Sequence, residues 1–156
     1  MPWTHLRTIW FQENFLGWAD GVKNGTFYFG VRDGEFAPLN VKDIGEIAAN
    51  VLTTNDHEGK AYNITGPALV SGQAIADIFS NVTGHHVAYI SPDENTTLQS
   101  LLSSGWPEWQ AKGALELFEV FASNQAAVVS PDGQALLGRP LTKLADYLEN
   151  NKALFI

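Results

Sequence analysis

The sequence predicts a mixed α/β fold in which short strands and helices take turns along a single domain, residues 1–156. Two observations lead to this prediction. Short runs of β-branched and aromatic residues alternate with segments whose apolar residues recur at helical spacing. The chain has 156 residues, 45% of them hydrophobic and 12% aromatic, without an internal repeat or a polar linker. A chain of this length buries about two-thirds of its unfolded surface, which is enough for one core.

The first third of the chain contains extended segments. Residues 6–11 form an apolar, β-branched and aromatic run that is typical of a buried strand. Residues 25–36 predict a hairpin, because residues 26–29 are strand-like and Asp33-Gly34 is a common turn pair. Residues 39–41 are also extended.

Helix-start signals locate most of the remaining elements. Asp43 is the predicted cap of a first helix, whose apolar face would consist of Ile44, Ile47, Ala48, Val51 and Leu52. Ser71 caps a second helix, which ends at Gly84. Ser91 to Glu94 form a predicted capping box before a third helix, which stops at Gly105. Further strands are expected over residues 61–64 and 87–90, and further helices over 107–123 and 142–151, giving about five helices in all.

Charge and composition exclude several classes of function. Nine basic against seventeen acidic residues give a net charge of −8, which argues against nucleic-acid and anionic-membrane partners. The chain has no cysteine, which excludes disulfides and thiolate chemistry. The N-terminus carries no export signal, and no apolar run is long enough for a membrane span, so we expect a cytoplasmic protein.

The common catalytic motifs are missing. The glycines do not follow the spacing of a dinucleotide-binding or phosphate-binding loop, and no serine-nucleophile motif occurs. His85 and His86 would point in opposite directions on a strand, so we expect no metal site. The acidic pairs Glu116/Glu119 and Asp43/Glu46 are typical of solvated helix faces or caps. The sequence therefore identifies no catalytic residues.

Aromatic residues are the most informative side chains. Trp10, Phe11, Phe15 and Trp18 cluster after the first strand, with amides and a carboxylate between them. A second group, Trp106 and Trp109, opens the long helix. Aromatic surface with a few amides is typical of ligand pockets, but aromatic residues also fill ordinary cores, and the sequence leaves both interpretations open.

Six segments occur together in the order and spacing of one known family. They are residues 6–15, which include Glu13-Asn14, and residues 39–44, 59–67, 76–89, 105–109 and 138–141. Together they resemble the NmrA-like proteins, which belong to the atypical short-chain dehydrogenase/reductase superfamily. Thr8 departs from the pattern, because the family usually has proline after the arginine.

The resemblance covers the C-terminal half of such a protein. It implies a truncated, Rossmann-like C-terminal portion without the half that binds the dinucleotide. Full-length relatives use NAD(P), and for this chain alone no cofactor is expected. The loop that holds Asn14 lies beside the nicotinamide and the substrate in those relatives.

The missing half would leave the first strand exposed. Residues 6–11 would be an interior strand in the full fold, and alone they would present unpaired backbone and apolar surface. We therefore expect a homodimer formed through this N-terminal region.

Three functions stay open at this stage. The first is a small-molecule-binding or accessory module without dehydrogenase activity of its own. The second is a subunit of an NAD(P)-dependent oxidoreductase that a partner chain completes, and the third is a regulatory protein-interaction module. The candidate ligand-binding residues are Arg7, Trp10, Phe11, Asn14, Phe15, Trp106 and Trp109, although a salt bridge is an alternative role for Arg7.

Overall fold

The computed structural model describes residues 2–156 and confirms the mixed α/β fold class. The strands in this part of the chain are short: β1 (Thr4–Thr8), β2 (Thr26–Tyr28), β3 (Glu35–Phe36), β4 (Lys60–Ile64), β5 (Val70–Ser71) and β6 (Ala88–Ile90). The α-helices there number seven: α1 (Ala19–Lys23), α2 (Val41–Thr53), α3 (Gly72–Thr83), α4 (Glu94–Ser103), α5 (Glu108–Ala122), α6 (Asp132–Leu137) and α7 (Leu144–Asn150). Two 3-10 helices cover Gln12–Trp18 and Lys152–Leu154.

The strands form three separate pairs. Strand β1 runs parallel to β4, from Thr4 opposite Lys60 to Thr8 opposite Ile64. Strand β2 runs parallel to β6, and β3 runs antiparallel to β5. Both parallel pairs join segments that lie far apart in the chain, so helical crossovers connect them.

The predicted hairpin over residues 25–36 is wrong. Strands β2 and β3 do not pair with each other, because each is paired with a strand from the second half of the chain. Gly34, which suggested the turn, has a different role. A Cβ atom at this position would lie 2.0 Å from the carbonyl oxygen of Phe121, so the missing side chain lets the end of α5 approach the backbone.

The core consists of two clusters of buried side chains. The larger cluster is rich in phenylalanine and includes Phe15, Phe27, Phe29, Phe36, Phe79, Phe118, Phe121 and Phe155. The smaller cluster lies between the β1–β4 pair and helices α2 and α6, and includes Leu39, Ile47, Ile64, Leu137 and Leu141. Aromatic residues therefore build the main core.

The first strand differs from the predicted buried strand. It covers Thr4–Thr8 rather than residues 6–11, and its burial alternates, with His5 and Arg7 exposed and Leu6 partly buried. Only one face of β1 packs against the smaller cluster, and its edge opposite β4 carries no strand within residues 2–156.

Two of the predicted helix caps are wrong by a few residues. Asn40 caps α2, since its side chain accepts the N–H of Lys42, and Asp93 rather than Ser91 caps α4 by accepting the N–H of Thr96. Leu52 was expected on the apolar face of the helix that is now α2, but its side chain is 84% exposed.

Other helix predictions are confirmed. Ser71 caps α3, and Gly84 ends it with a φ of 78°. Helix α5 lies within the predicted residues 107–123. The short helices α1 and α6 were not predicted, because five and six residues are too few for a clear helical spacing. In the described part of the chain, no helix combines the length and the apolar character that a membrane crossing requires.

Candidate functional site

The segments after β1 and β4 meet at one edge of their sheet. The two strands are parallel, so their carboxyl ends, Thr8 and Ile64, lie side by side. The chain after β1 then runs along Leu39, whose N–H donates to Trp10 O and whose carbonyl accepts from Gln12 N, both at 2.9 Å. The carboxyl edge of parallel strands is where α/β proteins usually bind ligands. We call this region the carboxyl edge.

A buried amide network fixes the backbone at the carboxyl edge. Gln12 is fully buried, and its Nε2 donates to the carbonyls of Pro38, at 3.1 Å, and Thr142, at 2.9 Å. Its Oε1 accepts from Asn40 Nδ2 at 3.2 Å. Breaking such a network would leave buried polar groups unpaired, so residues 12, 38, 40 and 142 hold one another in place.

Glu13 ties the same segment to the start of helix α2. Its carboxylate accepts the backbone N–H of Val41 at 3.1 and 3.2 Å, and it accepts Asn40 Nδ2 at 3.1 Å. A carboxylate at a helix N-terminus is stabilised by the free N–H groups and by the helix dipole. Asn14, the next residue, remains exposed on a backbone that its neighbours hold rigid.

Asp43 forms the second polar anchor of this region. It is only 1% exposed and accepts the N–H of Thr142 at 2.7 Å and the Thr142 hydroxyl at 3.2 Å. Arg139 contacts Asp43 at 3.0 Å and Glu46 at 2.6 Å. The two carboxylates, Glu46 most strongly, raise the pKa of Arg139 above its usual value. Asp43 is therefore a buried link to the segment before α7, and not the solvated residue that the helical spacing indicated.

The candidate aromatic residues near the carboxyl edge lie in or against the larger core cluster. Phe15 is fully buried. Trp10 is partly buried, with its ring 5.7 Å from Phe29 and 6.0 Å from both Phe118 and Phe121. The Nε1 atom of Trp10 is buried and has no hydrogen-bond partner among residues 2–156.

The other candidate residues of this region have separate surroundings. Phe11 packs against the smaller core cluster and forms an isolated bridge with Leu39. Arg7 is exposed on β1, and it belongs to none of the ion pairs in the described part of the chain.

The second aromatic group lies away from the first. Trp106 is 39% exposed, and Trp109 is 77% exposed in the first turn of α5. Trp109 lies nine positions before Phe118, the nearer in sequence of the two α5 residues whose rings are 6.0 Å from Trp10. This spacing corresponds to about 13 Å along the helix axis. The structure therefore does not bring the two aromatic groups into one pocket.

A large concave site that sequence reasoning missed lies between α4, α5 and residues 30–33. We call it the α4–α5 groove; its volume is about 1150 Å³. Phe118, Leu115 and Leu98 supply apolar lining, and Tyr89 also lines the groove. The Glu116/Glu119 pair was the sequence signal for this site, but its spacing alone also fits an ordinary solvated helix face.

An ion pair spans part of the groove. Arg32 has a left-handed φ of 48°, and its guanidinium contacts both carboxylate oxygens of Glu119 at 2.8 and 2.9 Å. The hydrogen bond from Arg32 lowers the pKa of Glu119. The hydroxyl of Tyr89 donates to the carbonyls of Phe29 and Arg32, and burial raises the pKa of Tyr89. These contacts hold residues 29–33 as a wall of the groove.

A metal site needs several converging side-chain ligands, and a dinucleotide site needs free backbone N–H groups for the pyrophosphate. Among residues 2–156, no three His, Asp or Glu side chains converge as a metal site requires. The segment after β1 is a 3-10 helix with buried Gln12 and Phe15, and not a glycine-rich turn with free N–H groups. This segment therefore differs from the glycine-rich turn that holds the pyrophosphate in dinucleotide-binding folds.

Comparison with known proteins gives a consistent set of relatives. No protein-family model matches the chain. It is 29% identical over 156 residues to an NAD(P)H azoreductase of Xenophilus azovorans, covering 99% of this chain and 54% of the azoreductase. It is 30% identical over 150 residues to quinone oxidoreductase 2 of Escherichia coli, covering 95% of this chain and 52% of that enzyme.

Solved structures agree with these sequence matches. The fold superposes with a TM-score of 0.89 on the E. coli quinone oxidoreductase complexed with NADPH, at 26% identity, covering 97% of this chain and 54% of that one. It superposes with a TM-score of 0.86 on a Citrobacter triphenylmethane reductase complexed with NADP(H), at 25% identity. This match covers 96% of this chain and 53% of the reductase. The chain therefore spans about half the length of the relatives it matches.

Proposed function

We propose that the chain, which resembles the NmrA-like proteins of the atypical short-chain dehydrogenase/reductase superfamily, forms the substrate-side part of an NAD(P)H-dependent reductase. A nucleotide-binding half, in the same polypeptide or in a partner chain, completes the enzyme. The observation that carries this proposal is the parallel β1–β4 pair with an open edge at β1. The NAD(P)-dependent reductases among its relatives support the same assignment.

The β1–β4 pair lacks the surroundings that a parallel sheet usually has. Parallel sheets normally have more than two strands and are covered on both faces. Here one face packs against α2 and α6, whereas His5 and Arg7 on the other face are exposed. A further strand beside β1 and a layer over His5 and Arg7 would restore the usual arrangement. A nucleotide-binding half can supply both.

In this proposal Asn14 is the residue of the chain that faces the completed site. Its amide is exposed at the carboxyl edge, and the contacts of Gln12 and Glu13 fix its backbone. An exposed amide on a rigid segment can orient a substrate without a large entropic cost. The segment after β1 is a 3-10 helix and not a glycine-rich turn, so we assign coenzyme binding to the other half and expect the chain alone to be inactive.

A chimeric enzyme tests the proposal. The half of E. coli quinone oxidoreductase 2 that this chain does not match is fused to the chain, and NADPH oxidation is measured with a quinone acceptor. We expect no activity from the isolated chain and quinone-dependent activity from the chimera. Asn14→Ala should lower kcat/KM about tenfold or more. Asn24→Ala, an exposed asparagine beyond α1, should leave it unchanged.

Each arm of this experiment has a result that contradicts the proposal. Reductase activity of the isolated chain would show that no other half is needed. A folded chimera that binds NADPH and leaves the quinone unreduced would remove the substrate-side role. Equal effects of Asn14→Ala and Asn24→Ala would remove the role of Asn14.

The open edge of β1 supports a second candidate, a ligand-binding or accessory module that forms a homodimer. In this case the β1 edges of two copies would pair and cover each other, which removes an aggregation-prone edge. Light scattering at low micromolar concentration distinguishes the two states. A mass of twice 17.1 kDa supports the homodimer, and a 17.1 kDa monomer excludes it.

A further inference from the structure

We propose that the α4–α5 groove binds a small molecule that combines an apolar, aromatic body with a positive charge, such as a protonated arylalkylamine. This site does not depend on the proposed reductase function, because every residue that lines the groove belongs to this chain. Its size of about 1150 Å³ is slightly above the usual range for small-molecule sites, about 300–1,000 Å³, so a ligand of that class can enter it.

The inner surface of the groove suits an apolar ring. Phe118 is 8% exposed, and Leu98 and Leu115 are partly buried beside it. Gly30 widens this region, because a Cβ atom there would lie only 3.2 Å from the hydroxyl of buried Thr97 and would project into the lining. An aromatic ligand could therefore bury its ring against Phe118 and the two leucines.

The charges around the groove favour a cation. Five carboxylates and two basic side chains line it, which leaves an excess of three negative charges. Both basic groups are already paired: Arg32 contacts Glu119 at 2.8 Å, and Lys112 contacts Glu108 at 2.7 Å. The other four carboxylates form no ion pair within residues 2–156: Asp33, Asp93, Glu94 and Glu116. A concave site with apolar walls focuses such a field.

The N-terminus of α4 does not reverse this preference. Residues 92–94 at this N-terminus line the groove, and Asp93 already accepts the N–H of Thr96 at 2.7 Å. Glu94 adds a second carboxylate in the same turn. These two negative charges offset the positive end of the helix dipole, so the groove disfavours anions such as phosphates and carboxylates.

Three probes of similar shape and different charge test the proposal. They are 1-naphthylmethylamine, which is a cation at neutral pH, 1-naphthylmethanol, which is neutral, and 1-naphthoate, which is an anion. Binding to the 156-residue chain is measured by calorimetry at low salt, and the site is located by amide chemical shifts in NMR. We expect the amine to bind most tightly and the naphthoate most weakly, with shifts centred on residues 30–33, 91–98 and 112–119.

Matched variants separate the groove from general acidity. Glu116→Gln removes one carboxylate of the groove and should weaken amine binding by about two- to fivefold, as expected for one exposed charge pair. Glu58→Gln removes an exposed carboxylate between α2 and β4 and should leave binding unchanged. Raising the salt to 0.5 M should reduce the advantage of the amine over the alcohol.

Three results would overturn the proposal. The first is an amine that binds no more tightly than the alcohol at low salt, or that does not bind at all. The second is an equal effect of Glu116→Gln and Glu58→Gln. The third is a set of chemical-shift changes that lies outside the groove.

Discussion

Replacement of Gly34 by alanine tests how closely helix α5 packs on the wall of the α4–α5 groove. A Cβ atom at this position would lie 2.0 Å from Phe121 O, 2.6 Å from the Cα of Ala122 and 2.7 Å from the carbonyl carbon of Phe121. All three neighbours are backbone atoms, so no side-chain rotation can relieve the contact. The end of α5 would have to move by about 1.4 Å to reach an ordinary contact distance of 3.4 Å.

The expected loss of stability in Gly34→Ala depends on the core side chains that α5 contributes. Phe118 and Phe121 belong to the larger core cluster, and Phe121 stacks on Phe36 with ring centroids 4.5 Å apart. Overpacking of this kind costs about 1–3 kcal/mol, and displacement of stacked core rings favours the upper part of that range. For a chain of this size the loss corresponds to a decrease in Tm of about 2–12 °C.

Gly113→Ala provides a matched control on the same helix. Gly113 lies inside α5, and a Cβ atom there would meet nothing within 4 Å. Glycine inside a helix is about 0.5–1 kcal/mol less favourable than alanine, so this variant should be more stable than the parent chain. The same chemical change at Gly34 and Gly113 therefore has opposite expected signs.

Urea unfolding followed by circular dichroism and tryptophan fluorescence measures both variants. We expect the midpoint to decrease for Gly34→Ala and to increase for Gly113→Ala, with unchanged m-values. If Gly34→Ala stays within 0.5 kcal/mol of the parent chain, or becomes more stable, the close approach of α5 to Gly34 is refuted.

Three further predictions concern polar and titratable groups. Asp43→Asn should lower the free energy of unfolding by about 1.5–3 kcal/mol, because a buried carboxylate that pairs with Arg139 is lost. Urea unfolding measures this loss, and a change below about 0.5 kcal/mol would contradict the prediction. The raised pKa of Tyr89 means that the folded state holds the proton more tightly than the unfolded state. Its contribution to stability should be complete below pH about 10 and disappear as pH rises through the folded pKa. Urea midpoints between pH 8 and 11 should therefore decrease less steeply in Tyr89→Phe, and parallel curves would argue against this assignment. The lowered pKa of Glu119 gives the opposite pH dependence. Its ion pair with Arg32 should stabilise the fold above pH about 4.3, and this stabilisation should be lost as pH falls through the folded pKa. Glu119→Gln should remove this acid dependence between pH 2 and 6, and an unchanged acid profile would show that the ion pair does not contribute.

Locally encoded elements were predictable from the sequence. Helix α3 was predicted with both ends, because Ser71 supplies a cap and Gly84 adopts the left-handed conformation that ends a helix. The extent of α5 followed from its helical spacing. The hairpin was wrong because Asp33-Gly34 resembles a turn pair locally, whereas Gly34 is needed for a contact with α5, more than eighty residues away.

The candidate site was predictable only in part. The segment with Glu13 and Asn14 was identified through its resemblance to a family, and the structure places it at the carboxyl edge. The exposure of Trp109 and the burial of Phe15 could not be read from an aromatic pattern that fits both cores and pockets. The α4–α5 groove was missed because its walls come from three segments that only the fold brings together.

The sequence by itself determined the mixed α/β class, the excess of negative charge and the resemblance to a family of reductases. These properties depend on composition and on residues that are close in the chain. Only the tertiary structure decided that β1 and β2 each pair with a distant parallel strand and that Asp43 is buried against Arg139. It also decided that four carboxylates without an ion pair line the α4–α5 groove. Strand pairing and side-chain burial depend on which distant segments pack together, and local sequence patterns do not determine those contacts.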